Sequence, residues 1–319
     1  MATIGYHVSH EQFAPSELLA CVQTAERAGF AAAMCSDHFT PWSERQGHSG
    51  FAWSWLGAAM QATSLPFGVV NAPGDRYHPA IVAQAAATLA EMFPGRFWVA
   101  LGSGQAINEH ITGERWPSKV ERNARLRECV DVIRALCVGE TVTHHGRIDV
   151  EEAKLWSRPE QPPRIIGPAL SEETAEFVGG WADGFITVNA PRPDLERLVA
   201  AFRRGGGEGK PIYLQCHLSY AGTDEEARAN AYDQWREPIF PGFVNEHLRT
   251  PRQLEAAARF VRPSDLDPSI RIAADVERHL DWLRGDVEFG FEQIYLHNVG
   301  RNQQEFIEVF GERVLPTLQ

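Results

Sequence analysis

FAAAMCSDHFTPW, residues 30–42, is the stretch whose reading decides the fold. The apolar run from Phe30 to Cys35 reads as a buried strand, and it ends in the polar and aromatic loop Ser36-Asp37-His38-Phe39-Thr40-Pro41-Trp42. Asp, His and Trp are thus delivered together at a strand's C-terminal end, where parallel α/β folds place their chemistry. A carboxylate beside an imidazole fixes its tautomer and raises its pKa, and an indole offers a flat wall for a ring. The same residues also read as a plain loop, with Asp37 capping the turn, His38 bonded to backbone and Trp42 packed.

Working outward, the pattern repeats. Apolar runs at 3–8, 65–70, 96–101, 164–166, 182–188, 212–219 and 291–297 read as seven further strands. Helical stripes lie between them, among them 16–29, 53–63, 80–92 and 118–138, with others starting near 171, 193 and 224 and a closing helix at 303–314. Alternation around His145-Gly146 predicts a surface hairpin at 141–156. Eight such units predict a single (β/α)8 TIM barrel over residues 1–319, with the site above the strands' C-terminal ends. The stretch 239–268, between strands seven and eight, reads as irregular and too long for an ordinary connection, hence an insertion at one face.

Composition narrows the partners. With 319 residues and 44% hydrophobic content, the chain is long enough for one large core. A net charge of -12 disfavours nucleic acid and anionic membrane surfaces and leaves a small molecule as the expected partner. The five cysteines show no CxxC spacing, so neither a disulfide framework nor a metal site is expected. With no signal-like start and no long apolar span, a cytoplasmic protein is expected.

Four loop segments, at 11–15, 36–42, 76–80 and 102–109 (EQFAP, SDHFTPW, RYHPA and GSGQAINE), together resemble the bacterial luciferase-like flavin and deazaflavin oxidoreductases. Within that superfamily the chain is similar to the branch of coenzyme F420-dependent glucose-6-phosphate dehydrogenases and to a sister group that uses an ordinary flavin. The resemblance implies that His38 takes the proton from a substrate hydroxyl, that Asp37 helps hold the cofactor, and that Trp42 and Glu11 line the substrate side. It implies a cis peptide at Val69 and Val70, and a cofactor phosphate on backbone N–H groups at Ala169, Leu170 and Ser171. Ser103, Gly104, Gln105 and Asn108 belong to the loop that meets the cofactor. It also implies a homodimer through the helices after strands two and three.

Two departures matter. The dehydrogenases carry a glutamate, the acid toward ring nitrogen N1, where this chain has Gln105. An amide has no proton to give near neutral pH, so either the cofactor is FMN, the slightly preferred expectation over F420, or Glu109 supplies the acid. Where the dehydrogenases clamp a sugar phosphate with lysine, the chain has Pro191 beside Arg192, so glucose 6-phosphate is not expected as substrate. The competing readings are a barrel metallohydrolase, which would want HxH spacing on strand one, and a flavin- or deazaflavin-binding protein without activity.

Overall fold

The computed structural model describes residues 2–318. The apolar runs form strands β1 Thr3–Val8, β2 Ala32–Ser36, β3 Phe67–Asn71, β4 Phe97–Leu101, β5 Arg164–Pro168, β6 Gly184–Val188, β7 Ile212–Ser219 and β8 Gln293–Asn298. Each pairs in parallel with the next, and β8 closes the circle between β7 and β1. The result is the eight-stranded barrel that the alternation predicts, wrapped by helices such as Pro15–Arg27, Ala52–Ala62, Pro79–Met92 and Lys119–Val138. The helix ends follow local chemistry. Pro15 and Pro79 sit in first turns, and Ser118 and Glu121 form a reciprocal capping box.

Alternate residues of a strand face opposite ways, so each strand feeds two cores. Ile4, Val8, Val69, Val99, Leu214 and Leu296 pack outward on the helices, whereas Ala32, Met34, Trp98, Ala100, Ile166, Ile186, Tyr213 and Tyr295 fill the barrel. The filling is tight: an added Cβ on Gly68 would lie 1.9 Å from the Trp98 ring. That ring is fixed by its indole N–H, which donates to the Tyr295 hydroxyl at 3.1 Å.

Three expectations change. The stretch 239–268 is not irregular: it holds helices Gly242–Asn245 and Pro251–Ala258 and a 3-10 turn at Pro263–Leu266. Thr250 caps the second of these by accepting from the Gln253 N–H. Helix Val276–Phe289 was not foreseen, because its buried Val276, Leu280 and Leu283 are outnumbered by charged neighbours. The backbone contains no cis peptide among the described residues. The Val69–Val70 bond is therefore trans, and both residues continue the parallel ladder to β2 and β4. The 141–156 hairpin forms, with strands Val142–His145 and Asp149–Ala153.

Candidate active site

The loops at the C-terminal ends of β1 to β4 meet around the segment Asp37 to Trp42. Successive residues of extended chain point to opposite sides, so Asp37 and His38 part company. His38 turns to the loop after β1, with Nδ1 3.4 Å from Glu11 Oε1, and its ring lies 4.9 Å from that of Trp42. The other Glu11 oxygen accepts from Ser9 Oγ at 2.9 Å, which fixes the carboxylate. The acid partner of the imidazole is therefore Glu11 and not its sequence neighbour Asp37. Nδ1 faces this carboxylate but makes no hydrogen bond among the described residues, and with Nδ1 so placed Nε2 is the nitrogen left to accept a proton.

Asp37 instead joins a buried polar group below. Its Oδ2 accepts from Asn71 Nδ2 at 2.8 Å and lies 3.5 Å from the Arg76 guanidinium. Its Oδ1 is buried with no hydrogen-bond partner among the described residues. A buried carboxylate oxygen left unpaired is costly, and the neighbouring Tyr77 hydroxyl interacts with this same carboxylate. The Arg76 guanidinium lies between two carboxylates, 3.5 Å from Asp37 Oδ2 and 3.8 Å from Glu109 Oε1; it also donates to the Asp37 backbone carbonyl at 2.9 Å, and the Arg76 backbone N–H donates to Glu109 Oε2 at 2.9 Å.

Glu109 lies at the end of the one-turn helix Ala106–Glu109, closed by its N–H to the Gln105 carbonyl at 3.1 Å. Gly104, at φ +81°, covers it so closely that a Cβ there would lie 3.1 Å from Glu109 Cγ. Burial raises the Glu109 carboxyl to about 7, and the Arg76 N–H and guanidinium offset only part of that. Gln105 shares the turn, but its amide makes no hydrogen bond among the described residues and is partly exposed, while the Glu109 carboxyl turns onto Arg76. Asn108 reaches back to the first loop, its Oδ1 accepting from the N–H groups of Phe39 at 2.9 Å and Thr40 at 3.3 Å.

The raised Glu109 value has a measurable consequence. The folded chain holds this proton more tightly than an unfolded one, whose carboxyl titrates near 4.5, so the stabilisation is full below 4.5 and is lost as pH rises through about 7. Wild-type stability should fall by about 2 to 3 kcal/mol across that window, and Glu109→Gln should flatten the curve. Urea unfolding at several pH values checks this; parallel curves for the two proteins would refute it.

The rim opposite is less as expected. The Ala169 N–H is committed to the Ile186 carbonyl at 3.1 Å and cannot also donate to a phosphate. Ser171 caps the following helix through Thr174, and Leu170 is exposed. Of the two glutamates that open this helix, Glu172 turns away onto Arg197 at 3.2 Å. Ser103 Oγ accepts from Lys119 Nζ at 3.0 Å, and Lys119 also holds Glu246 at 2.9 Å. Val70 faces the barrel interior and Val69 the helices.

Sequence reasoning missed several groups here. Arg76 and Asn71 become visible only once β3 and β4 are side by side. His7 was weighed only against the HxH spacing of a metallohydrolase, and Gln215, His217 and His297 were missed although polar residues two apart in an apolar strand, as in Gln215-Cys216-His217, are a legible signal. Among the described residues no group of three or more His, Cys, Asp or Glu is arranged to hold a metal ion.

A family model described as luciferase-like monooxygenase matches residues 1–304. The chain belongs to the luciferase-like monooxygenase family. As a luciferase-like enzyme it is an oxidoreductase, and the relatives differ in cofactor. It is 33% identical over 331 residues to an F420-dependent glucose-6-phosphate dehydrogenase of Beutenbergia cavernae, covering 100% of this chain and 98% of that one. To the protein of the same name from Nakamurella multipartita it is 32% identical, over 99% of this chain and 96% of the other. Among solved structures, an F420-dependent secondary alcohol dehydrogenase bound to an F420-acetone adduct superposes with a TM-score of 0.92 at 29% identity, each chain covered in full at 100%. A monooxygenase of Streptomyces bottropensis shares the fold at a TM-score of 0.74 and 19% identity, with 100% of both chains covered. No helix among the described residues is long and apolar enough to cross a membrane.

Proposed function

We propose that this luciferase-like protein is an F420-dependent dehydrogenase that oxidises a small, uncharged alcohol. The observation that carries the reading is the His38 imidazole, its Nδ1 3.4 Å from the Glu11 carboxylate and its ring beside Trp42 at the end of β2. When bound, the deazaflavin supplies a hydride acceptor. The rest is done by side chains of this chain. His38 Nε2 takes the hydroxyl proton, and the Glu11 carboxylate stabilises the imidazolium that results. Trp42 presents a flat face that orders the substrate. Asp37 Oδ1, buried and unpaired, would accept a donor of the cofactor, and Glu109, whose carboxyl burial raises to about 7, is about half protonated at neutral pH, as suits a general acid.

The last point supports F420 over FMN. The preference for FMN rested on the loss of an acid at Gln105, and Glu109, raised to about 7 within the same turn, weakens that reason. The relatives with F420 in their names point the same way. Anaerobic mixing with F420 and a secondary alcohol should bleach the deazaflavin absorbance; failure of F420 to bind would refute the proposal.

A sugar phosphate is disfavoured by the fate of the cations. Lys119 is engaged with Ser103 and Glu246, Lys210 donates to the Gly179 carbonyl, and Arg192 is tied to Glu196 and the Gly285 carbonyl. The kcat/KM for glucose 6-phosphate should be at least about tenfold below that of an uncharged alcohol, since an exposed guanidinium such as Arg249 supplies little by itself. Comparable values would show that the cations rearrange around phosphate.

The reading also includes a homodimer through helices Ala52–Ala62 and Pro79–Met92, whose Ile81 and Met92 side chains are exposed. Sedimentation at micromolar concentration should give a dimer, and Ile81→Asp with Met92→Asp should give a monomer.

A further inference from the structure

Half of the barrel mouth is polar in a way that removal of one proton and one hydride does not require. β1, β7 and β8 send His7, His217 and His297 into the barrel. His7 stacks on His297 with centroids 4.3 Å apart and planes at 26°, and His217 meets His297 edge-on at 5.4 Å. Trp235 closes over both, 4.5 Å from His297 and 5.3 Å from His217. It belongs to the same packed cluster as Trp42, the wall beside His38. The other half of the mouth is apolar, with Val70 and Ala100 from β3 and β4 and Ile166 and Ile186 from β5 and β6.

The polar half is incompletely satisfied. Gln12 Oε1 meets His297 Nε2 at 3.1 Å, and Gln215 Nε2 meets His217 Nε2 at 3.1 Å. Both ring nitrogens of His7 and Nδ1 of His297 are buried and have no hydrogen-bond partner among the described residues. His7 is 3% exposed and His297 1%, yet Gln215 and His217 on the adjoining strand remain partly accessible, so the group opens toward the cleft. Burial lowers all three imidazoles, His217 to about 4, so they are neutral at physiological pH. A neutral imidazole presents one donor and one acceptor, and an amide presents both. Such a set matches an uncharged oxygen function and offers no positive charge to a phosphate or carboxylate.

We propose that Gln215, His217, His297 and His7 form a second recognition subsite, which binds an uncharged hydroxyl or carbonyl on the same small molecule whose carbinol is oxidised at His38. Preferred substrates are then diols or hydroxyketones. A plain alcohol places alkyl surface against unpaired nitrogens, and a site built to hydrogen-bond a hydroxyl discriminates strongly against the analogue that lacks it. This inference rests on the dehydrogenase reading for the reacting end of the substrate, but recognition of the second oxygen is measured separately from turnover.

The test uses the full chain with F420 and two probes of similar shape, propylene glycol and isopropanol. The kcat/KM should favour the diol by at least about 100-fold, below the ceiling for hydrogen-bonded selection because Gln215 and His217 are partly exposed. His217→Phe and, as a milder change, Gln215→Leu should each reduce that preference to below about tenfold while the F420 dissociation constant, read by its fluorescence, stays within about twofold. Equal kcat/KM for the two probes, or a preference untouched by both variants, overturns the subsite and leaves the dehydrogenase reading standing. Should F420 not bind at all, the dehydrogenase reading falls alone, because imidazole nitrogen shifts of His217 and His297 still report on the subsite. Shifts with the diol exceeding those with isopropanol support it, and equal or absent shifts overturn it.

Discussion

His38→Gln is expected to slow hydride transfer by about 10²–10⁴-fold, the usual worth of a positioned general base, with deazaflavin affinity little changed. Glutamine keeps the approximate shape and polarity beside Trp42 but cannot carry the substrate proton away. The loss should fall on kcat and kcat/KM together, as for a group that acts only in the transition state. Glu11→Gln should cost less, because the imidazole remains and only the carboxylate 3.4 Å from Nδ1 is neutralised. Single-turnover reduction of F420 by an excess of alcohol gives the rate directly. If His38→Gln retains more than about a tenth of the wild-type rate, the base lies elsewhere.

The second large effect concerns the barrel's filling. Gly68→Val should destabilise the fold by at least about 3 kcal/mol, at or beyond the usual range for overpacking. A Cβ at this position would lie 1.9 Å from Trp98 Cζ2 and 2.0 Å from Cε2, far inside contact distance. The indole cannot swing aside. It is 6% exposed, bonded to the Tyr295 hydroxyl, and packed against the rings of Tyr213 and Tyr295 with centroids 5.6 and 5.8 Å away. Gly57, on helix Ala52–Ala62 with nothing within 4 Å of an added Cβ, is the control. Gly57→Ala should be neutral or slightly stabilising. Urea midpoints of the two variants make the comparison, and a Gly68→Val midpoint equal to wild type would mean that the Trp98 stack yields.

The barrel was legible because its strands are buried on both faces and read as unbroken apolar runs, with helical stripes between them. Helix Val276–Phe289 was not, since a helix that exposes most of its surface carries a thin apolar stripe among many charges. Within the site, His38 and Trp42 were legible as members of one loop. The pairing of His38 with Glu11 was not, because it joins loops from two strands whose register a single sequence does not reveal. The neighbouring Asp37 drew the attention that belongs to residue 11, and the direction in which each side chain leaves the strand decides between them. The Val69–Val70 bond was inferred from relatives and is trans. Glu109 was named as the acid that could stand in for the one missing at Gln105, the alternative to an FMN cofactor, but its raised pKa comes from burial, which no spacing encodes.

The division of the barrel mouth between strands bears on how this enzyme could acquire new specificities. Its lower plug, Trp98, Tyr213 and Tyr295 over Gly68, tolerates little change, so the scaffold is insulated from variation above it. The polar half draws on β1, β7 and β8 and on Trp235, whereas Asp37, Arg76 and Glu109 come from the loops after β2, β3 and β4. Mutations confined to 215 and 217 therefore explore one ligand's seat without touching the carboxylates and guanidinium on the other side. A combinatorial library at those two positions is the economical route to altered substrate range, whereas Gln12 adjoins Glu11 and Trp235 packs in one cluster with Trp42.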